Sequence, residues 1–255
     1  MLSTESAART PPTWEAHMAT FNSRHDFRAA FSALRAILAN PDDTKQAFRV
    51  IEALGGPTAE RQFLRFQESP VGRAALRDRR ELLAVLRDVE KLEAMPEGSL
   101  GRAYLHFLRS QQITAEGLVA ASEEGRRTDE ALDADRMLFR DRLRDMHDLW
   151  HVVSGYRGDI IGEAAVLAFS FVQTRSPGVG LIAALGFLKT GELPGARGTI
   201  ARAVARGRRA AWLPGVDWES MLARPLDEVR AELGLLDTPS YEPLYTSDPR
   251  FVAAA

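Results

Sequence analysis

The chain has 255 residues, of which 45% are hydrophobic and 27% charged, with a formal net charge of −2 and no cysteine. That length buries a full core in one domain or two closely packed halves. The near-neutral balance speaks against a nucleic-acid binder, and the missing thiols exclude disulfide scaffolds, cysteine nucleophiles and thiolate metal sites.

Residues 1–24, which include Thr10-Pro11-Pro12, show no sustained period and are expected to form a loose arm. Met1 to Asn22 has neither the basic start nor the apolar run of a signal peptide, so export is not expected. From there helical spacing dominates. Phe27, Ala30, Phe31, Leu34, Ile37 and Leu38 predict a helix that Asn40-Pro41 stops. Asp42 or Asp43 caps the next, which carries Ala47, Phe48, Ile51 and Leu54 and ends at Gly55-Gly56. Pro57 opens another through Phe63, Leu64 and Phe66. Pro70-Val71-Gly72-Arg73 reads as an interruption before one amphipathic helix from Leu82 to Leu92. Gly98-Ser99 starts a helix through Leu100, Tyr104, Phe107 and Leu108, and Thr114 caps a short successor reaching Leu118.

The charged run Glu123 to Asp135 leads as a turn into a helix over roughly 129–154, closed by Gly155. Gly158-Asp159 opens the following helix, and so short a connection makes the two antiparallel. After Pro177 come Gly178, Gly180 and Gly186, small residues that serve close helix packing or leave room for a long apolar ligand. Arg197, Arg202, Arg206, Arg208 and Arg209 crowd a helix ending near Trp212, read as a solvated face or as an anion or membrane-surface patch. Asp217-Trp218-Glu219 starts a last helix pair closed by Gly234, and 237–255 is expected to be an extended tail. No stretch alternates with period two for long enough to form a strand. The expectation is an all-α fold, a multi-helix single domain over 25–236. Its longest apolar stretches, Ala164 to Thr174 and Ser176 to Leu188, fall short of the roughly 20 residues of a bilayer span.

The chemistry concentrates in His147-Asp148-Leu149-Trp150-His151 and in Glu163, which follows past Gly155, Gly158 and Gly162. On a helix His147 and His151 stand one turn apart with Asp148 beside them. Glu163 lies in an apolar run, Ile160-Ile161-Gly162-Glu163-Ala164-Ala165-Val166, where a carboxylate is costly to bury unless paired or bound to a cation. Two imidazoles and two carboxylates make a nitrogen and oxygen set that suits zinc, manganese, iron or magnesium, placed between two antiparallel helices. A buried polar network is the plainer alternative.

His-Asp-x-x-His, then eleven residues, then Glu, with Gly155 and Gly162 in place, resembles the coenzyme Q (ubiquinone) biosynthesis protein 4 family. Pro70-Val71-Gly72-Arg73, the stretch from Met95 to Leu108, and Asp217-Trp218-Glu219 with Pro225-Leu226 and Arg230 through Gly234 resemble its other segments in order. The resemblance implies that His147, Asp148, His151 and Glu163 are metal ligands and catalytic residues, with zinc placed before iron, manganese or magnesium. It implies a role in ubiquinone biosynthesis, the oxidative decarboxylation of a polyprenylated benzoquinone precursor that replaces its carboxyl at ring carbon 1 with hydroxyl. The alternative it carries is a non-catalytic scaffold that binds the prenyl lipid and organises a quinone biosynthesis complex. Expected partners are the prenylated precursor or an isoprenoid lipid, other quinone biosynthesis enzymes and the membrane surface, with a homodimer left open. The expected location is cytoplasmic and peripheral on a bacterial inner membrane. The prenyl tail is expected along the Leu100 to Leu108 helix and the Ala164 to Phe187 region. Helical phosphohydrolases and zinc peptidases rank lower, because His106 is the only upstream ligand candidate and Asp148 stands where a peptidase carries Glu.

Overall fold

A strongly apolar helix, Ile160–Thr174, lies at the centre of the fold and carries Glu163 in its first turn. In the computed structural model, residues 21, 25–40, 43–111, 120, 122–123, 132–190, 193–245 and 248 are described. The arm apart from Phe21, the short helix expected after Thr114, most of the charged run from Glu123 and the end of the tail lie outside the described residues. The helices are α1 (Phe27–Ala39), α2 (Thr44–Glu68), α3 (Pro70–Arg77), α4 (Leu82–Leu86), α5 (Val89–Glu93), α6 (Leu100–Gln111) and α7 (Ala134–Asp145). They continue with α8 (His147–Ser154), α9 (Ile160–Thr174), α10 (Pro177–Lys189), α11 (Ala196–Arg209), α12 (Trp218–Met221) and α13 (Leu226–Leu233). A 3-10 turn spans Leu213–Gly215. Among the described residues only an isolated bridge between Ser99 and Pro225 has strand character. The all-α expectation therefore holds.

Most helix starts follow their caps. The Asp26 carboxylate accepts the Ala29 N–H at 2.9 Å to open α1, and Asp133 accepts that of Arg136 at 2.8 Å to open α7. In α2 the helix breaks at Gly56, whose φ of 40° and ψ of −131° let the chain restart at Pro57. Three expectations need correction. Pro70 to Arg73 is itself a helix start, because Ser69 Oγ accepts the Gly72 N–H at 2.9 Å and proline at the first turn forfeits no bond. The helix over Leu82 to Leu92 is two short ones, since Asp88 accepts the Lys91 N–H at 3.1 Å and begins α5 anew. The helix over 129–154 divides at Met146, where ψ is −5°.

One core cluster joins α4 to α6 with α8, α9 and α11 to α13, through Tyr104, Trp150, Phe169 and Trp218 among others. Around α9 the packing is close because glycines let backbones approach. A Cβ on Gly207 of α11 would lie 3.0 Å from the Phe169 carbonyl, and one on Gly186 of α10 would lie 2.9 Å from the Ala164 Cβ. The small residues after Pro177 thus serve helix packing.

The buried Arg142 of α7 reaches Glu219 at 2.5 Å and the Arg80 carbonyl at 2.8 Å, tying α7 to α12. Burial opposes the charge on Glu219, yet the Arg142 guanidinium prevails and holds its pKa below the ordinary 4.5. A depressed folded pKa means the stabilisation is complete above about pH 4.5 and is lost as pH falls through the lower folded value. Glu219→Gln is therefore expected to lower the melting temperature at pH 7, with the deficit shrinking as pH falls below about 4.5. Calorimetry across pH 3–7 checks this, and an equal deficit at every pH would contradict it.

Candidate metal centre

The two histidines owe their positions to how α8 ends. Gly155 takes the left-handed conformation, φ 76°, and its N–H donates to the His151 carbonyl at 2.8 Å. The other last-turn carbonyls have no partner within the helix, and two arginines fill that need. Arg230 of α13 donates to Val152 and Val153, at 2.9 and 3.2 Å, and Arg206 of α11 donates to Ser154 at 2.7 Å. Arg206 is 3% exposed, so it is not part of the solvated or anion-facing patch expected of its helix. Opposite charge at a helix C-terminus also favours this arrangement.

Glu163 is placed by the connection from Gly155 to Asp159. Asp159, buried, accepts the N–H groups of Ile161, Gly162 and Leu244 at 3.1, 3.3 and 3.0 Å. Its other oxygen accepts the Tyr241 hydroxyl at 2.7 Å, and that hydroxyl accepts the Arg157 N–H at 2.9 Å. The expected tail thus clamps, through Tyr241 and Leu244, the start of the helix that carries Glu163. No other residue fits at Gly162, where a Cβ would meet the Arg157 carbonyl at 2.0 Å.

The result is a tight group. His147, His151 and Glu163 each present a ligand atom, all within 4.8 Å of one another. The two Nε2 atoms stand 3.2 Å apart, His151 Nε2 lies 3.3 Å from Glu163 Oε1, and His147 Nε2 lies 3.8 Å from Glu163 Oε2. His151 is 1% exposed, His147 27% and Glu163 45%, so the group is anchored on the inside and open on one side. Phe107 of α6 stacks on the His151 ring, centroids 5.0 Å apart, and walls one flank with hydrocarbon. Asp148 is 4% exposed on the same turn and stands outside this three-residue group. As His147's chain neighbour it points about 100° away around the helix.

These residues fit a divalent ion. His151 Nδ1 faces the Tyr156 carbonyl at 3.0 Å; a carbonyl only accepts, so Nδ1 carries the proton and Nε2 presents its lone pair to the group, the usual outer support of a ligating imidazole. Two ligand atoms about 2.1 Å from one ion lie roughly 3.0–3.4 Å apart, which the two shorter separations meet. Charge agrees. Burial works against a cationic His151, yet the Glu163 carboxylate outweighs it and raises the imidazole's pKa. Glu163, although desolvation opposes it, is held far below the ordinary carboxylate range by the two imidazoles. Burial raises the pKa of Asp148 against the pull of both histidines. The space between the three groups favours positive charge.

Of the side chains that hold the centre, Arg206, Arg230, Tyr241 and Phe107 were not singled out from sequence as parts of it. Only Asp159, ahead of Ile160-Ile161, carries a local cap signal. A helical protein with such a nitrogen and oxygen centre is a candidate metalloprotein. The sequence model of the family described as coenzyme Q (ubiquinone) biosynthesis protein Coq4 matches residues 14–239, and the chain belongs to that family. It is 32% identical over 242 residues to the mitochondrial ubiquinone biosynthesis protein coq4 of Talaromyces stipitatus, covering 89% of this chain and 77% of that one. It is also 32% identical over 204 residues to the mitochondrial ubiquinone biosynthesis protein COQ4 homolog of Bos taurus, covering 74% and 72%. A crystal structure from Nostoc punctiforme, described as a candidate ubiquinone biosynthesis protein, superposes with a TM-score of 0.62 at 19% identity, covering 83% of this chain and 99% of that one. That likeness concerns the fold.

Proposed function

We propose that the chain acts in ubiquinone biosynthesis as a metal-dependent oxidative decarboxylase, exchanging the ring carbon 1 carboxyl of a polyprenylated precursor for hydroxyl. The observation that supports this is the three-residue group with one side open. Structural metal sites close the ion with protein ligands, whereas catalytic ones leave a position for water or substrate. When bound, a divalent ion, zinc before iron, manganese or magnesium, would stabilise negative charge that develops as CO2 leaves. The chain's own part is positional. His151, locked by the Tyr156 carbonyl, offers a fixed nitrogen, His147 and Glu163 line the mouth, and Phe107 keeps water from one flank. The exchange is a two-electron oxidation, so an oxidant must come from outside the chain.

The scaffold reading requires a fourth protein ligand to close the ion, and the buried Asp148, on the same turn but outside the three-residue group, would have to turn toward it. Water-proton relaxation of the manganese-loaded protein separates the two, with a rapidly exchanging bound water expected for the enzyme. Quinone profiling tests the function itself. A strain lacking the protein is expected to accumulate a carboxylated prenyl-phenol, and Glu163→Ala to fail to rescue it. Unchanged quinones would overturn the proposal, and rescue by Glu163→Ala would leave only the scaffold.

Among the described residues no helix is long and apolar enough to cross a membrane. A peripheral position at the cytoplasmic face of the inner membrane, meeting a prenylated substrate and other enzymes of the pathway, is part of the proposal. It is supported by Phe27 and Phe31 of α1 and Leu188 of α10, exposed at 71, 63 and 67%. A Lys189 Nζ bond to the Leu38 carbonyl at 3.2 Å brings the ends of those two helices together.

A further inference from the structure

Three arginines surround one cavity of about 270 Å³ where the ends of α2, α9 and α11 meet. Arg65 comes from the last turn of α2, Arg175 follows α9 and Arg208 lies in the last turn of α11. Gln62, Gly207 and Trp212 complete much of the wall, and no carboxylate lines it. The cavity is remote from the metal centre, since Gln173 on its wall follows Glu163 by ten residues, roughly 15 Å along α9.

The charges there are unbalanced. Among the described residues, neither the Arg175 nor the Arg208 guanidinium has an ion-pair or hydrogen-bond partner, and Arg65 stacks its guanidinium on the Trp212 ring, 4.0 Å from the centroid. Buried arginines elsewhere are matched, Arg136 with Glu60 and Arg142 with Glu219, whereas exposed ones such as Arg28, Arg35 and Arg87 also lack a partner among the described residues, so it is the convergence of three on one cavity that sets this place apart. Helix C-termini favour cations, which accounts for part of the pattern. Three such termini supply only about −0.5 charge each, roughly −1.5 against three guanidinium charges. About +1.5 remains, close to the −1.5 to −2 of a phosphomonoester near neutral pH.

Arg175 holds its place with φ 56°, a left-handed conformation that glycine adopts more easily. From the three arginines without a carboxylate partner and the cavity between them, we infer that this is a binding site for a phosphoryl dianion, a phosphomonoester or diphosphate group. Guanidinium groups with planar forks suit it better than ammonium would.

Isothermal titration of the metal-loaded protein with pyrophosphate tests this, repeated on Glu163→Ala so that anion held at the metal centre is recognised. Saturable binding is expected in both, weakened about tenfold or more by Arg175→Ala with Arg208→Ala and falling with added salt. Both arginines are exposed, so this variant is expected to fold, and circular dichroism checks that it does. A second arm uses phosphatidylcholine vesicles with and without phosphatidic acid. Binding to the free anion identifies a soluble phosphorylated compound, and arginine-dependent binding only to phosphatidic acid vesicles identifies a lipid headgroup. Absence of both, binding that the double variant keeps, or binding that Glu163→Ala abolishes would each overturn the inference. Because the readout is anion binding away from Glu163, its failure leaves the metal-centre reading standing.

Discussion

Purified from cells, the protein is expected to hold one divalent metal per chain, and His151→Ala or Glu163→Ala to lose it. Each variant removes a donor from a group in which, among the described residues, three ligand atoms converge. Loss of an outer support alone commonly weakens a metal site by 10–100-fold, so loss of a direct ligand is expected to cost about 100-fold or more. Binding must also weaken in acid. Protons compete for the same imidazole nitrogens, and the raised pKa of His151 moves that competition toward neutral pH. Elemental analysis after dialysis against a weak chelator gives the stoichiometry, and competition titrations between pH 5 and 8 give the slope. Stoichiometric metal in both variants would place the ion elsewhere, and pH-independent affinity would remove histidine from the ligand set. If the variants stay folded without metal, the ion is not what holds the helices together.

Among the charged side chains around the metal centre, a large loss of stability is expected for Arg206→Ala. That guanidinium donates to the carbonyls of Ser154 and Leu235, meets Asp237 at 3.3 Å, and lies over the Tyr156 ring at 5.2 Å. Its removal leaves buried acceptors unpaired at the end of the helix that carries both histidines, at a cost of about 3 kcal/mol. For a chain of this size that lowers the melting temperature by about 6–12 °C. The exposed Arg208→Ala, two residues on, is expected to change it by less than about 2 °C. Because α8 then frays at its C-terminus, Arg206→Ala should also weaken metal binding about tenfold. Thermal melts of the two variants decide the matter, and matched melting temperatures would mean that the carbonyls of α8 find water as easily as they find arginine.

Sequence alone could not tell these two arginines apart. Arg206 and Arg208 stand in one charged run, and which of them is buried depends on the helix that packs against α11. The same holds for the tail. Nothing local to Tyr241 or Leu244 signals that they clamp Asp159, because the bonds span more than 80 residues. The breaks at Asp88 and Met146 were missed for a different reason. Helical periodicity continues across both, and only the competing cap at Asp88 and the local geometry at Met146 divide the helices.

What the sequence by itself determined is what rests on short-range rules. The all-α class, the glycine stop at Gly155, the start at Asp159, and the return of Glu163 to the first turns of α8 all follow from spacing and capping within some twenty residues. The facing of His147, His151 and Glu163 was legible for that reason. Tertiary structure decided everything that needs a partner from far along the chain. It set Phe107 on the His151 ring, whose tautomer the nearby Tyr156 carbonyl fixes. It turned Arg206 and Arg230 inward onto the carbonyls of α8, and brought Arg65 of α2 beside Arg175 and Arg208. Long-range contacts of this kind are chosen by burial and by the pairing of orphaned polar groups, and neither leaves a period in the chain.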